Sequence, residues 1–177
     1  MENKEVKISK VRMIAYIGLL TAVFIVLGSP VLSIHTATIK IGFTFIPVVI
    51  AAILFGPWIG GAVGGLGDLL SAILFPVGAW IPGITLSNIL MGIVFGLFLY
   101  KKQTWLRVLL AAVINNFGIT LFLTTFWLAP ITGNPYWPLL VTRIPQVCIV
   151  TAVQFVAISA IIKIKAHVIL RNTVAKG

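Results

Sequence analysis

Long apolar runs broken by short charged groups set the pattern of this chain. No Asp, Glu, Lys or Arg occurs from Met13 to Ile39, Ile41 to Gly67, Leu69 to Tyr100, Val108 to Thr142, or Ile144 to Ile162. A helix that crosses a bilayer needs about 20 mostly apolar residues, so these runs hold several crossings. Turn-forming residues divide them further. Gly28-Ser29-Pro30 ends the first run, Gly56-Pro57 splits the second, and Phe75–Gly83 (FPVGAWIPG) and Ala129–Pro138 (APITGNPYWP) are reversals rich in Pro, Gly and aromatics. The pattern predicts an all-α membrane protein with six transmembrane helices over about 11–27, 41–55, 58–74, 84–100, 106–128 and 139–162, as one domain over residues 1–177. The loop Val31–Lys40 is β-branched, polar and longer than a tight turn.

Composition agrees. The chain is 60% hydrophobic and only 9% charged, against about 25% charged residues in an ordinary soluble domain. The net charge of +10 raises the question of an acidic partner, but the positions of the charges answer it without nucleic acid. Lys4, Lys7, Lys10 and Arg12 precede the first span, Lys101, Lys102 and Arg107 follow the fourth, and Lys163, Lys165 and Arg171 follow the sixth. With six spans all three groups fall on one side, which the positive-inside rule makes cytoplasmic and N-in/C-in, next to anionic lipid. The basic N-terminus resembles a secretory signal, but its apolar run is long enough to span and no small-residue cleavage site follows closely, so it is kept as the first helix.

Several faces carry groups that are costly in lipid. In the third span Gly60, Gly64, Gly67 and Ser71 recur at helical spacing, as expected where small residues let helices approach closely. Asp68 shares that face and is the only acid beyond the N-terminal tail. A carboxylate there costs about 2.5–3.5 kcal/mol on insertion scales, so it needs a donor: Arg143, neighbouring backbone, or a ligand. Thr85, Asn88, Gly92 and Gly96 align in the fourth span, Asn116, Thr120, Thr124 and Trp127 in the fifth, and Arg143, Gln146, Val150 and Gln154 in the sixth. One such stripe would be ordinary interhelical bonding. Three, one with an arginine, point to a polar cavity toward the outer end.

Arg143, beside Pro145, has the fork geometry that pairs with a carboxylate or a planar heterocycle; snorkelling to headgroups is its default alternative. Trp80, Trp127, Tyr136 and Trp137 map to the outer boundary, by default as an interfacial belt and alternatively as stacking surfaces. His35 and Lys40 lie on a loop placed to close over a site, or are simply solvated. Cys148 reads as a packing residue. In the first span Ala15, Gly18 and Ala22 form a small-residue face for packing or for a partner membrane protein.

Enzyme chemistry finds little support. Two distant histidines, one cysteine and three acids assemble no metal cluster, nucleophile–base pair or phosphate loop. No metal or other cofactor is expected, and any uphill transport must draw its energy from another protein or a gradient.

The segments IKIGFTFIPVVIAAILFGPWIGGAVGGLGDLL and FPVGAWIPGITLSNILMGIVFGLFLY resemble the substrate-binding S components of energy-coupling-factor vitamin transporters, the folate group most of all. The Gly-Pro-Trp turn, the glycine helix ending in Gly67-Asp68-Leu69-Leu70 and the Pro76–Gly83 reversal carry the likeness, with a looser match at TRIPQ, Thr142–Gln146. The resemblance implies a bacterial plasma-membrane subunit that binds its vitamin from outside, docks on a transmembrane coupling subunit with two ATPases, and topples to release the ligand inside. Ala15, Gly18 and Ala22 would carry over as the docking face, with Gly18 where alanine is more usual. Folate suits the inventory: Arg143, Gln146, Asn88, Asn116, Trp80, Asp68, His35, Lys40 and Trp137 form the expected binding set, with stacking for the pterin and cations for the glutamate tail. Riboflavin, pantothenate or a queuosine precursor would satisfy much of the same set. A self-contained gradient-driven carrier is the reading from another class, though Asp68 alone makes a poor relay; a lipid-acting enzyme is the third.

Overall fold

The computed structural model describes the backbone of residues 10–30, 34–35, 40–76 and 80–174, and side chains within 11–164 over most of that range. The expected polar segment 1–9 and the centre of the 75–83 reversal lie outside the described residues. Helices α1 (Lys10–Gly28), α2 (Phe45–Phe55), α3 (Pro57–Leu74), α4 (Pro82–Leu99), α5 (Trp105–Val113), α6 (Thr125–Thr132) and α7 (Tyr136–Val174) account for nearly all of it. Between α5 and α6 the chain continues without a break as a π-helical stretch, Ile114–Thr124, so these three pieces form one rod. The last helix runs past the expected end at 162.

One feature departs from an all-α chain. A two-residue antiparallel pair, β1 (Ile34–His35) with β2 (Lys40–Ile41), closes the connection before α2, pairing Ile34 with Ile41 and His35 with Lys40. Ile34 and Ile41 are β-branched and favour extended backbone, and pairing satisfies main-chain amide groups of the paired residues.

Among the described residues four helices are long and apolar enough to cross a bilayer: Pro57–Leu74, Pro82–Leu99, Trp105–Ile131 and Tyr136–Ile164; Met13–Gly28 and Phe45–Phe55 are shorter apolar helices. The radial distribution of residues is inverted relative to a water-soluble bundle. Trp58, Ile73, Leu97, Ile149 and Val156 face outward, whereas Asp68, Ser87, Asn116, Arg143, Gln146 and Gln154 are buried. Lipid outside and polar contacts inside produce that arrangement. Cys148 faces out of the bundle, so its expected packing role inside the protein is corrected.

The turn residues act where the sequence places them. Gly56 takes φ +96°, which ends α2, and Pro57 opens α3 at a position where its missing N–H is harmless. Pro82 does the same for α4. The glycine stripe of α3 then lets α4 approach backbone to backbone. A Cβ on Gly64 would sit 2.5 Å from the Asn88 carbonyl oxygen, and one on Gly60 2.9 Å from that of Gly92. Gly67 opens onto the Phe24 ring of α1. Around this unit one apolar cluster joins Phe45, Val49, Ile53, Phe95, Leu99, Val108 and Ile158. A second joins Leu20, Phe24, Val48 and Val63.

Candidate functional site: a polar cavity at one end of the bundle

A cavity of about 140 Å³ lies between the helices. α4 contributes Ile84, Ser87, Asn88 and Met91 from its first half, and the π-helical stretch adds Asn116, Ile119, Thr120 and Thr124. α7 contributes Arg143, Gln146, Val147, Val150 and Gln154, and Phe24, Thr44 and Phe45 come from the end of α1 and the start of α2. Chain direction fixes which end this is. The contributing parts of α1, α2, α4 and α7 all lie away from the α4–α5 connection that carries Lys101 and Lys102. A space of this size holds about one benzene-sized ring, so any larger ligand must extend along the cavity toward its mouth.

The walls are cross-linked by amides and hydroxyls. Asn116 Nδ2 donates to Gln154 Oε1 at 2.7 Å and to the Ala112 carbonyl at 2.9 Å, tying the π-helical stretch to α7. Asn88 Nδ2 donates to the Ile84 carbonyl at 3.2 Å, and Ser87 Oγ to that of Gly83 at 2.9 Å. Both are back-bonds within α4 that leave the Asn88 carbonyl oxygen available. Arg143 is 4% exposed. Its Nη1 donates to Thr125 Oγ1 at 2.9 Å, and its Nε–H has no protein partner. A buried guanidinium with an unused donor on a cavity wall is an anion or acceptor site in waiting.

Of the residues expected at a site, Arg143, Gln146, Asn88 and Asn116 come together on this cavity. Asp68 does not line it. Asp68 Oδ2 accepts from Thr85 Oγ1 at 2.7 Å, and Thr85 in turn accepts from Trp80 Nε1 at 3.1 Å. This chain joins α3, α4 and Trp80, two residues before α4. Arg143, one of the donors considered for Asp68, bonds Thr125 instead, while Asp68 takes the Thr85 hydroxyl. Trp80 stands at the Asp68–Thr85 chain rather than on the cavity, and Trp137 is 72% exposed, edge-on to Tyr136 at 5.6 Å. The aromatic surfaces on the cavity are those of Phe24 and Phe45, not tryptophans. Trp127, placed in the polar stripe by α-helical spacing, packs its ring over Gly83. The side chains of His35 and Lys40 lie outside the described residues.

Ala15, Gly18 and Ala22 are exposed along α1, and a Cβ on Gly18 would meet nothing within 4 Å. Sequence spacing did not single out Ser87, Thr125 or Asn115. Asn115 is 1% exposed and neither of its amide atoms has a partner. Only its position beside Asn116 in a run of apolar residues signalled a buried amide.

The family model for the substrate-specific component of ECF transporters matches residues 12–167. The folate transporter FolT of Clostridium novyi (strain NT) is 36% identical over 168 residues, covering 94% of this chain and 97% of that relative. A solved structure of FolT bound with folic acid superposes with a TM-score of 0.78 at 34% identity, over 84% of this chain and 90% of that one. The S component of a bacterial ECF transporter, described for its structure and mechanism, matches with a TM-score of 0.70 at 20% identity, over 91% and 99% of the two chains. The S-component for biotin from an ECF-type ABC transporter gives 0.63 at 22%, over 92% and 95%. These last two speak to the fold alone. With nearly the whole chain inside the family model and a full-length relative at this identity, the chain belongs to the substrate-specific components of ECF transporters.

Proposed function

We propose that this chain is the folate-capturing subunit of an ECF importer, embedded in the bacterial plasma membrane by six crossings with both termini inside. The observation that carries the reading is the buried Arg143 on the wall of a polar cavity, with amide groups from Gln146 and Gln154 on the same helix and from Asn88 and Asn116 on the other walls. Such a wall offers both donors and acceptors, which suits the amino–amide edge of a pterin, and the rings of Phe24 and Phe45 suit its flat face. Near full-length identity to a protein named as a folate transporter favours folate over the other vitamins. The cavity admits about one benzene-sized ring at its depth, with the rest of the pterin and of the ligand lying toward the end where α1 stops and α2 begins.

The N-in/C-in orientation puts the cavity at the outer end, because Lys101 and Lys102 lie at the opposite one. The delivery half of the function rests on α1. Ala15, Gly18 and Ala22 present a small-residue surface where a Cβ at Gly18 meets nothing within 4 Å among the described residues, suited to close approach by a transmembrane coupling subunit that works with two ATPases. The detergent-purified chain, titrated calorimetrically with folate beside riboflavin, thiamine, biotin and pantothenate, should bind folate alone and tightly. Binding of another vitamin would keep the class and change the substrate. Uptake by the single chain in proteoliposomes would replace this reading with a self-contained carrier.

A further inference from the structure

Thr125 is fully buried, does not line the cavity, and holds the guanidinium of Arg143 through its hydroxyl. That is the one hydrogen bond Arg143 makes among the described residues. How Thr125 comes to face α7 is decided by the helix between it and Asn116. Both residues bond α7: Asn116 reaches Gln154, and Thr125 receives Arg143. On α7 the two partners are 11 residues apart, about three turns of α-helix, so they share a face. Asn116 and Thr125 are nine residues apart. In an α-helix that is about two and a half turns, which would set them on opposite faces. The 11-residue π-helical stretch, Ile114–Thr124, removes the conflict. A turn closed by i→i+5 bonds takes up roughly one more residue than an α-turn. The stretch thereby absorbs about two residues, or roughly 200° of α-helical rotation. The same offset turns Trp127, which α-spacing from Asn116 would aim at the cavity, onto Gly83.

We propose that Thr125 is the positioning residue for Arg143, and that the π-helical register of Ile114–Thr124 exists to present Asn116 and Thr125 to α7 at once. Rotation about the long arginine side chain is costly to freeze, and without an acceptor at Thr125 the guanidinium is free to leave the cavity wall. This inference rests on the folate-binding reading for its consequence, but the Thr125–Arg143 contact itself can be tested with no ligand present.

Five proteins are needed for the binding arm: wild type, Thr125→Val, Thr125→Ser, Arg143→Ala and Thr125→Val combined with Arg143→Ala. Folate binding should weaken about tenfold in Thr125→Val and stay within about twofold of wild type in Thr125→Ser. The valine should add nothing once Arg143 is alanine. An unchanged affinity in Thr125→Val, or an equal loss in both backgrounds, overturns the proposal. Should the valine variant not fold, Thr125→Ala replaces it. In the second arm the arginine Nη–H resonances of ¹⁵N-arginine-labelled protein, which include the donor to Thr125, are recorded without ligand, Arg143 being assigned by its loss in Arg143→Lys. A slowly exchanging Arg143 signal in wild type and Thr125→Ser that exchanges rapidly in Thr125→Val supports the contact. A signal unchanged by Thr125→Val overturns it. If wild type binds no folate, the functional reading fails while this arm still decides the role of Thr125.

Discussion

Both amide hydrogens of Asn116 are committed inside the protein, one to Gln154 Oε1 at 2.7 Å and one to the Ala112 carbonyl at 2.9 Å. What remains for a ligand is the Asn116 carbonyl oxygen, an acceptor, and on the other wall the Gln154 amide nitrogen, a donor. Crossing the bundle by this one bond both sets the wall spacing and sorts the polarity of the cavity. Asn116→Leu should leave Gln154 without its donor and lower stability by about 1–3 kcal/mol. Gln154→Leu should cost a similar amount, and the double variant distinctly less than the sum of the two, because the partners are lost together. Thermal unfolding of the four proteins in one detergent checks this; additive losses would mean the bond contributes nothing.

Arg143→Ala should weaken folate binding by more than tenfold with the protein still monodisperse. The side chain removed is the charged group on the cavity wall, and a charge-assisted contact contributes about twice a neutral one. Calorimetric titration beside size-exclusion chromatography is the measurement. An unchanged affinity would assign Arg143 a structural role only.

Two glycines on different helices should respond oppositely to bulk. Gly64→Leu puts its Cβ against the Asn88 carbonyl oxygen at 2.5 Å, so α3 and α4 must separate and the variant should lose thermal stability and ligand binding together. At Gly18 a Cβ meets nothing within 4 Å among the described residues, and Gly18→Leu should keep both. Transport by the complete assembly should nevertheless fail for Gly18→Leu, since the added side chain stands on the proposed docking face. Normal uptake by that variant would move docking to another surface.

Asp68→Asn retains an oxygen that can accept from Thr85 Oγ1 and should cost less than Asp68→Ala, which leaves the Thr85 hydroxyl and the chain from Trp80 without an end point. Because Asp68 does not line the cavity, folate affinity of the asparagine variant should lie within about threefold of wild type. A loss as large as that of Arg143→Ala would make Asp68 a ligand contact.

The residues themselves determined a good deal. Charge-free runs of bilayer length, Gly56-Pro57 and Pro82 at helix starts, and the glycines of α3 are local statements: their meaning depends on chain geometry and the cost of polar groups in lipid, not on distant partners. Packing puts Gly60 and Gly64 of the glycine stripe at the α3–α4 contact and Gly67 against α1, and the gathering of Asn88, Asn116, Arg143 and Gln146 on one cavity was legible because α-helical periodicity holds over one or two turns. Three things required the tertiary structure. Asp68 had several possible donors, and only the approach of α3 to α4 chose Thr85. The tryptophans sat at the right depth, yet depth says nothing of azimuth, and Phe24 and Phe45 took the cavity surface instead. Of the stripe spaced as an α-helix, Asn116, Thr120 and Thr124 line the cavity, but Trp127 does not, and the chain between 114 and 124 winds as a π-helix. Local propensity does not announce that change of winding; bonds to α7 at Gln154 and Arg143 accompany it, and they put Thr125 rather than Trp127 on the inner face.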